Sequence, residues 1–551
     1  MKSLLLTVWL GLMLTELSGQ ENIQWISHFG STGEYYGVES GRHIITDSGG
    51  NIYVSGEFAD SFQIDGLKIK SNGDKEIFLV KLNPSGKVQW IKNFGGKQGD
   101  WSGGICTDKS QNLFLTGNFR DTLKIEDSVF TSNPGNYDIF LVKLDTSGQI
   151  LWSQAFTGEG QNATNAIASD SAGNIYITGY YLEDLKFGRF LLEGPSARSD
   201  LFIVKLNTDG EVIWAKSAKG NANNYGNDIA CYDSENLYLT GFMWDSVYFD
   251  SHLLTSSGNL QAFISKIDAT TGEFLWAVGG GGIGLSDGKA IAVDSEGDVI
   301  MCGWYRKAVS FNNDSVTNGG NYNGPDDVFI AKFNSDGSLI WLKSTTCSLY
   351  SDCFDLSINN ENDIYITGNF RGVIKWGSTF YYSTVPFYHD IFVFKMDPDG
   401  NFEWFKSYGG DSPMNDIGFG LTCYENNLYI TGMYSSNSWF DNVHLECDGA
   451  SDIFVLNLSD EPAAPVSIEK HEQEVLIYPN PFKNSISLKF LDFRSGEIDR
   501  LWITDMFGKI AYEKVRLQEN EPVNISGLKS GLYILHIQKG IEIISEKIVR
   551  E

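Results

Sequence analysis

Proline is scarce in this chain, with 12 in 551 residues against 59 glycines, and no stretch beyond the first 20 residues stays apolar for long. Few prolines beside many glycines and aromatics exclude a Pro-rich disordered chain and suit a large β protein with many turns. No later run approaches the ~20 apolar residues that a transmembrane helix needs, so no such helix is expected. Positive charge is also short: 41 Lys+Arg stand against 70 Asp+Glu, a formal net charge of −29. A chain this acidic repels phosphate backbones, which argues against nucleic acid as a partner and favours cations or neutral ligands. The imbalance is uneven, because from Glu472 onward 11 Lys+Arg nearly match 12 Asp+Glu.

Signatures of catalysis are missing as well. There is no HExxH or Walker loop, and the seven histidines are scattered without triad or metal spacing. The seven cysteines, an odd number, show no zinc-site spacing. Cys106, Cys231 and Cys423 stand where other copies of a repeat carry Ile45, Ala168, Ala292 and Ile358, and so read as small core residues. Cys347 and Cys353, in "CSLYSDC", are close enough within one loop to be the candidate disulfide.

What the chain does have is repetition. "NIYVSG", "NLFLTG", "NIYITG", "NLYLTG", "DVIMCG", "DIYITG" and "NLYITG" end on Gly56, Gly117, Gly179, Gly241, Gly303, Gly368 and Gly432, at spacings of 61, 62, 62, 62, 65 and 64. A period of this size marks a modular array. Each unit continues with a second strand such as "EIFLVKL", a turn such as "NPSG", and a third strand carrying a tryptophan: Trp90, Trp152, Trp214, Trp276, Trp341 and Trp404. A fourth strand leads into the next copy, and the whole reads as an antiparallel meander. The strands are apolar on both faces, as in Ile175-Tyr176-Ile177, so the sheets must be covered on both sides by stacking face to face. The last copy lacks its tryptophan strand, whereas "NIQWISHFG" near the N-terminus supplies one with Trp25. The expected fold is all-β: a seven-bladed β-propeller over 21–459, closed by the N-terminal strand, with no exposed sheet edge.

Two further segments flank this array. "MKSLLLTVWLGLMLTELSG", residues 1–19, has a lysine, a short apolar run and small residues, and reads as a secretory signal peptide. A Pro/Ala/charged linker spans 460–473, and 474–551 carries short alternating strands that suggest a small Ig-like β-sandwich.

These stretches support two resemblances. Units built from "GNIYVSG", "EIFLVKLNPSG" and a tryptophan resemble the bacterial seven-bladed propeller repeat of exported proteins, which implies a scaffold and no particular activity. "LIYPNPF", "ITDMFGKI", "LKSGLYILHI" and "EKIVRE", in that order, resemble the type A C-terminal sorting domain of the type IX secretion system of Bacteroidota. That resemblance implies a sorting motif at Tyr478, Pro479, Asn480, Pro481, Gly508, Gly531 and Lys547. It also implies the outer-membrane secretion machinery as partner, and a destination outside the cell or on its outer surface after signal-peptide export through the periplasm.

Candidate binding residues are those that break the repeat. The segment between each terminal glycine and the next strand varies most in the fifth and sixth copies. In the sixth, Trp376, Tyr381, Tyr382, Phe387 and Tyr388 could form an aromatic platform for sugar rings. Sixteen residues before each glycine, on the loop expected to rim a central opening, stand Trp101 and Tyr225 as further ligand contacts, and Asp287, Asp352 and Asp416. Those three carboxylates are a candidate cation site, with calcium the fitting ion, though no compact calcium loop is present and no other cofactor is expected. The leading functional expectation is a non-catalytic exported binding protein for a glycan or protein. The alternatives are an extracellular enzyme acting on polysaccharide or peptide at the acidic rim, and a structural adhesion or envelope protein.

Overall fold

The computed structural model describes residues 23–550 apart from 32–38, 313, 319–323, 377–378, 386, 411–413, 436, 448, 461–474, 479–482, 491–496, 506–508, 519–521 and 540–541. Every regular element among them is a β-strand. No described helix is long and apolar enough to cross a membrane. The chain divides into two compact units, Met1–Ala463 and Ala464–Glu551. The expected signal peptide, residues 1–19, and the linker beyond residue 460 fall outside the described set.

The larger unit is made of repeated four-stranded antiparallel sheets, and one copy shows the local logic. Asn162–Ser169, Ile175–Tyr181, Asp200–Leu206 and Val212–Gly220 pair in succession. Asp170 turns the first hairpin by accepting the amides of Ala172 and Asn174, while Gly173 takes φ +86. Asn207 turns the third in the same way, with Gly210 at φ +85. Ile175, Tyr176 and Ile177 are all fully buried, so both faces of this strand are covered by neighbouring copies.

The tryptophans bind each copy to the next. Trp90 packs 6.1 Å from Tyr53 of its own copy and donates its Nε1–H to the Thr146 carbonyl of the next. Trp214 does the same with Tyr176 and the Ala269 carbonyl, and Trp276 with Tyr238 and the Ser335 carbonyl. The N-terminal strand Ile23–Ser31 pairs antiparallel with Asp452–Ser459, placing Trp25 opposite Asn457 as Trp90 lies opposite Lys81. Trp25 lies 6.0 Å from Tyr429 and donates to the Pro84 carbonyl. The innermost strands lie side by side in chain order, from Ser40–Thr46 through Trp101–Thr107 and onward, and Ile417–Tyr424 packs against Ser40–Thr46.

The smaller unit holds two sheets. Val475–Tyr478, Ser485–Phe490 and Val523–Asn524 form one, and Ile510–Gln518, Glu497–Asp505, Gly531–Lys539 and Glu542–Arg550, in that spatial order, form the other. Ile486 and Val523 of the first share a buried core with Leu501, Ile503, Leu535 and Ile548 of the second. Of the motif residues here, Tyr478 pairs with Ser487, Gly531 with Arg550, and Lys547 with Ile534. Pro479, Asn480, Pro481 and Gly508 lie outside the described residues.

Candidate functional site

The glycine that ends each repeated hexapeptide is required by a close approach. A Cβ on Gly179 would overlap the Ala163 carbonyl oxygen, one on Gly117 would sit 2.6 Å from the Trp101 carbonyl, and one on Gly303 would overlap that of Asp287. The crowding arises because every innermost strand carries a β-bulge opposite this glycine. A bulge leaves one residue unpaired and re-aims its side chain. The residues left out of the ladder are Arg42, Gly103, Asn165, Asn227, Lys289, Phe354 and Phe419.

All of these except Gly103 line a cavity of about 740 Å³ bounded by the innermost strands. Its wall also carries Trp101, Tyr137, Tyr180, Glu57, Asn118, His43, Asp228 and Asp355. Around it, Trp101 meets Tyr137 edge-on at 4.8 Å, Tyr180 stacks on Tyr225 at 4.0 Å, and Phe354 meets Phe419 at 5.1 Å. Arg42 lies 4.0 Å over the Phe419 ring and pairs with Glu57 at 2.9 Å. Glu57 also accepts the Ser102 amide of the next copy, so it ties two inner strands together. Asn118 and Thr164 make the same tie one copy on, through an amide–backbone pair.

One residue beyond the bulge, Asp228 and Asp355 face the cavity and reach to the following copy. Asp228 accepts the amides of Ile229 and Ile291, and Asp355 those of Leu356 and Leu421. Burial pushes Asp228 up to about 7 and Asp355 up to about 8, against the pull of these amides, with Asp228 adding to the rise at Asp355. Burial also pulls His43 down to about 4, leaving a neutral imidazole on the wall. The cavity therefore offers aromatic faces, amide groups and two balanced cations, a surface suited to polar ligands with apolar faces.

The residues expected from sequence are dispersed. Trp101 is on the cavity wall and Tyr225 stacks behind Tyr180. Asp287 and Asp352 do lie together, but the cation between them is Lys289. It contacts Asp287 at 2.7 Å, and burial, which lowers its basicity, is outweighed by these two carboxylates. Burial pushes Asp352 itself up to about 7. Asp416 is elsewhere. The hairpin Ile417–Tyr424 to Asn427–Tyr434 turns through Glu425 at φ +51 and is one residue shorter than its counterparts, so Ile417 takes the position of Asp287. Asp416 instead accepts the Gly410 and Ser435 amides and the Ser438 hydroxyl, a structural brace. Among the described residues no group of three His, Cys, Asp or Glu is placed to hold a metal ion.

The aromatic run of the sixth copy is split by strand alternation. Trp376 is buried against Phe394 and Phe402, and Tyr381 stacks on Phe405 at 4.1 Å, so both belong to the core. Only Tyr382 and Phe387 of the five are exposed, with Tyr388 half-buried. Cys347 and Cys353 are not joined to each other. Cys347 donates to the carbonyls of Tyr350 and Arg371, while Cys353 is against Cys302. The bulge residues were missed because an extra residue in a ladder has no local sequence mark. Their signal is chemical: fourteen residues before the glycine an otherwise regular strand holds Arg42, Gly103, Asn165, Asn227, Lys289 or Phe354.

Comparison with known proteins bears on the two units separately. Residues 476–551 match the family model described as secretion system C-terminal sorting domain, and residues 317–339 match a domain of unknown function (DUF5122) beta-propeller. An uncharacterized WD repeat-containing protein of Acanthamoeba polyphaga mimivirus is 23% identical over 486 residues, covering 70% of this chain and 34% of the viral protein. The chain thus spans about a third of that relative's length. Among solved structures, a protein of unknown function from Dyadobacter fermentans aligns at TM-score 0.37 and 8% identity, over 80% of this chain and 99% of that one. Pyrococcus horikoshii acylaminoacyl peptidase aligns at TM-score 0.37 and 11% identity, over 74% and 52%. The chain is an all-β propeller protein whose C-terminal sorting domain directs it, through the secretion machinery, to the cell surface or the medium.

Proposed function

We infer that the larger unit is a seven-bladed propeller closed by the Trp25 strand, and that it is an extracellular binding platform whose ligand, a glycan, enters the central cavity. Closure is supported by the Trp25–Tyr429 and Trp25–Pro84 contacts, which repeat the inter-copy link made elsewhere by Trp90 and Trp214. The observation that carries the ligand reading is the aromatic wall of Trp101, Tyr137 and Tyr180, with Tyr225 stacked behind Tyr180, beside the amides of Asn118, Asn165 and Asn227. Sugar C–H faces stack on aromatic rings, and amides satisfy sugar hydroxyls. The test is a glycan array probed with the mature protein and with Tyr180→Ala/Tyr225→Ala. Retention lost in the variant, but kept in Tyr382→Ala/Phe387→Ala, supports the cavity. An array without hits, alongside capture of a defined extracellular protein, moves the ligand class to protein.

A further inference from the structure

Between successive copies, a small side chain just before the glycine of the repeated hexapeptide meets a small residue of the next inner strand. Ser55 and Ser102 hydrogen-bond across one interface at 2.9 Å. At four others the pair is a threonine against a glycine: Thr178 against Gly226, Thr240 against Gly288, Thr367 against Gly418 and Thr431 against Gly41. A Cβ built on Gly226 or on Gly41 lies 3.3 Å from the threonine Cβ it faces. At the equivalent interface further along the array the pair is Cys302 and Cys353. The two cysteines are neighbours across this interface and belong to one buried cluster, each fully shielded from solvent.

This position is close to the geometry of a disulfide, whose Cβ atoms are separated by about 3.5–4.5 Å. Two adjacent cysteines here need a displacement of a few tenths of an ångström from the spacing that the threonine–glycine interfaces already show. The chain is also exported, and exported proteins fold where thiols are oxidised. Cys347, the partner suggested by proximity in sequence, is held apart by its own bonds to Tyr350 and Arg371.

We propose that Cys302 and Cys353 form a disulfide that staples two neighbouring copies of the repeat. The oxidant is a disulfide of the cell envelope, acting by thiol–disulfide exchange. The thiolate of Cys353 attacks it, giving a mixed disulfide and releasing one thiol, and Cys302 then displaces the second. The pair loses two electrons and two protons, and the oxidant is reduced to its dithiol. Because the folded cluster shields both sulfurs, the exchange takes place as the chain folds.

The experiment is peptide mapping of the full chain recovered from outside the cell, alkylated without reduction. The expected result is a peptide linking Cys302 to Cys353, with the other five cysteines alkylated. Seven alkylated cysteines, or a link through Cys347, overturn the proposal. A second measurement uses Cys302→Thr/Cys353→Gly, the pair that the Thr178–Gly226 interface already tolerates. Dithiothreitol should lower the Tm of the native protein and leave that of the variant unmoved. A native Tm indifferent to reductant also overturns it.

Discussion

Trp25 and Tyr429 lie at opposite ends of the larger unit's sequence, yet their rings are 6.0 Å apart, within 0.2 Å of the Tyr53–Trp90, Tyr176–Trp214 and Tyr238–Trp276 pairs inside single copies. The Trp25 indole also meets the turn glycine Gly86, where an added Cβ would be 2.6 Å from the ring. An N-terminal strand thus makes the contacts that a copy's own last strand makes elsewhere.

Trp25→Ala should therefore behave as a loss from the core. A buried Trp→Ala substitution costs about 3–5 kcal/mol, and the partial exposure of Trp25 reduces that to roughly 2–3 kcal/mol. Denaturant unfolding of the purified larger unit measures it. A midpoint unchanged from the parent would mean that the N-terminal strand contributes nothing to the ring.

Gly179 tests the origin of the bulge. Gly179→Ala places a methyl on the Ala163 carbonyl, a backbone atom that cannot rotate away. The expected cost is about 2–4 kcal/mol, in the range of overpacked core substitutions. Gly173→Ala, where nothing lies within 4 Å but φ is +86, should cost less. A Gly179→Ala cost no larger than that of Gly173→Ala would show that the bulge contact does not select this glycine.

The buried cavity acids set a pH dependence. Asp355 is held at about 8 by burial, with repulsion from Asp228 adding to it, whereas an unfolded aspartate titrates near 4. Between these values the folded chain keeps a proton that the unfolded chain has released. Stability accordingly falls as pH rises from about 4 to about 8, at up to about 1.4 kcal/mol per pH unit for each such proton, and levels off above. Asp355→Asn removes this contribution and should make the slope of unfolding midpoint against pH shallower. A slope identical to the parent's would remove Asp355 as a source.

The repeat, the tryptophan strands and the odd strand at the N-terminus were legible because each rests on periodicity and strand composition. The site was not. Counting sixteen residues back from the glycine lands on Asp287 and Asp352, which lie opposite Trp304 and Asn369, but puts Asp416 out of register with them, since the register depends on hairpin length and one hairpin is a residue short. Aromatic content likewise overstated the sixth copy, where pleating turns Tyr381 inward and Tyr382 outward. Lys289 was invisible as the partner of two carboxylates because its placement comes from the bulge.

Asp416 separates a brace from a ligand site. Its two oxygens take the Gly410 amide at 2.9 Å, the Ser435 amide at 2.7 Å and the Ser438 hydroxyl at 3.0 Å, all buried. Burial raises its pKa to about 7 against these same bonds. Removing the carboxyl leaves two buried amides unpaired, at about 1–3 kcal/mol each, so Asp416→Ala should destabilise the larger unit by roughly 3 kcal/mol. Asp416→Asn keeps one acceptor oxygen and should lose about half of that. Calcium added to the native protein should not raise its Tm, because the three carboxylates do not share a site. A calcium-dependent rise in Tm that Asp416→Asn abolishes would contradict the bracing role and restore the cation site.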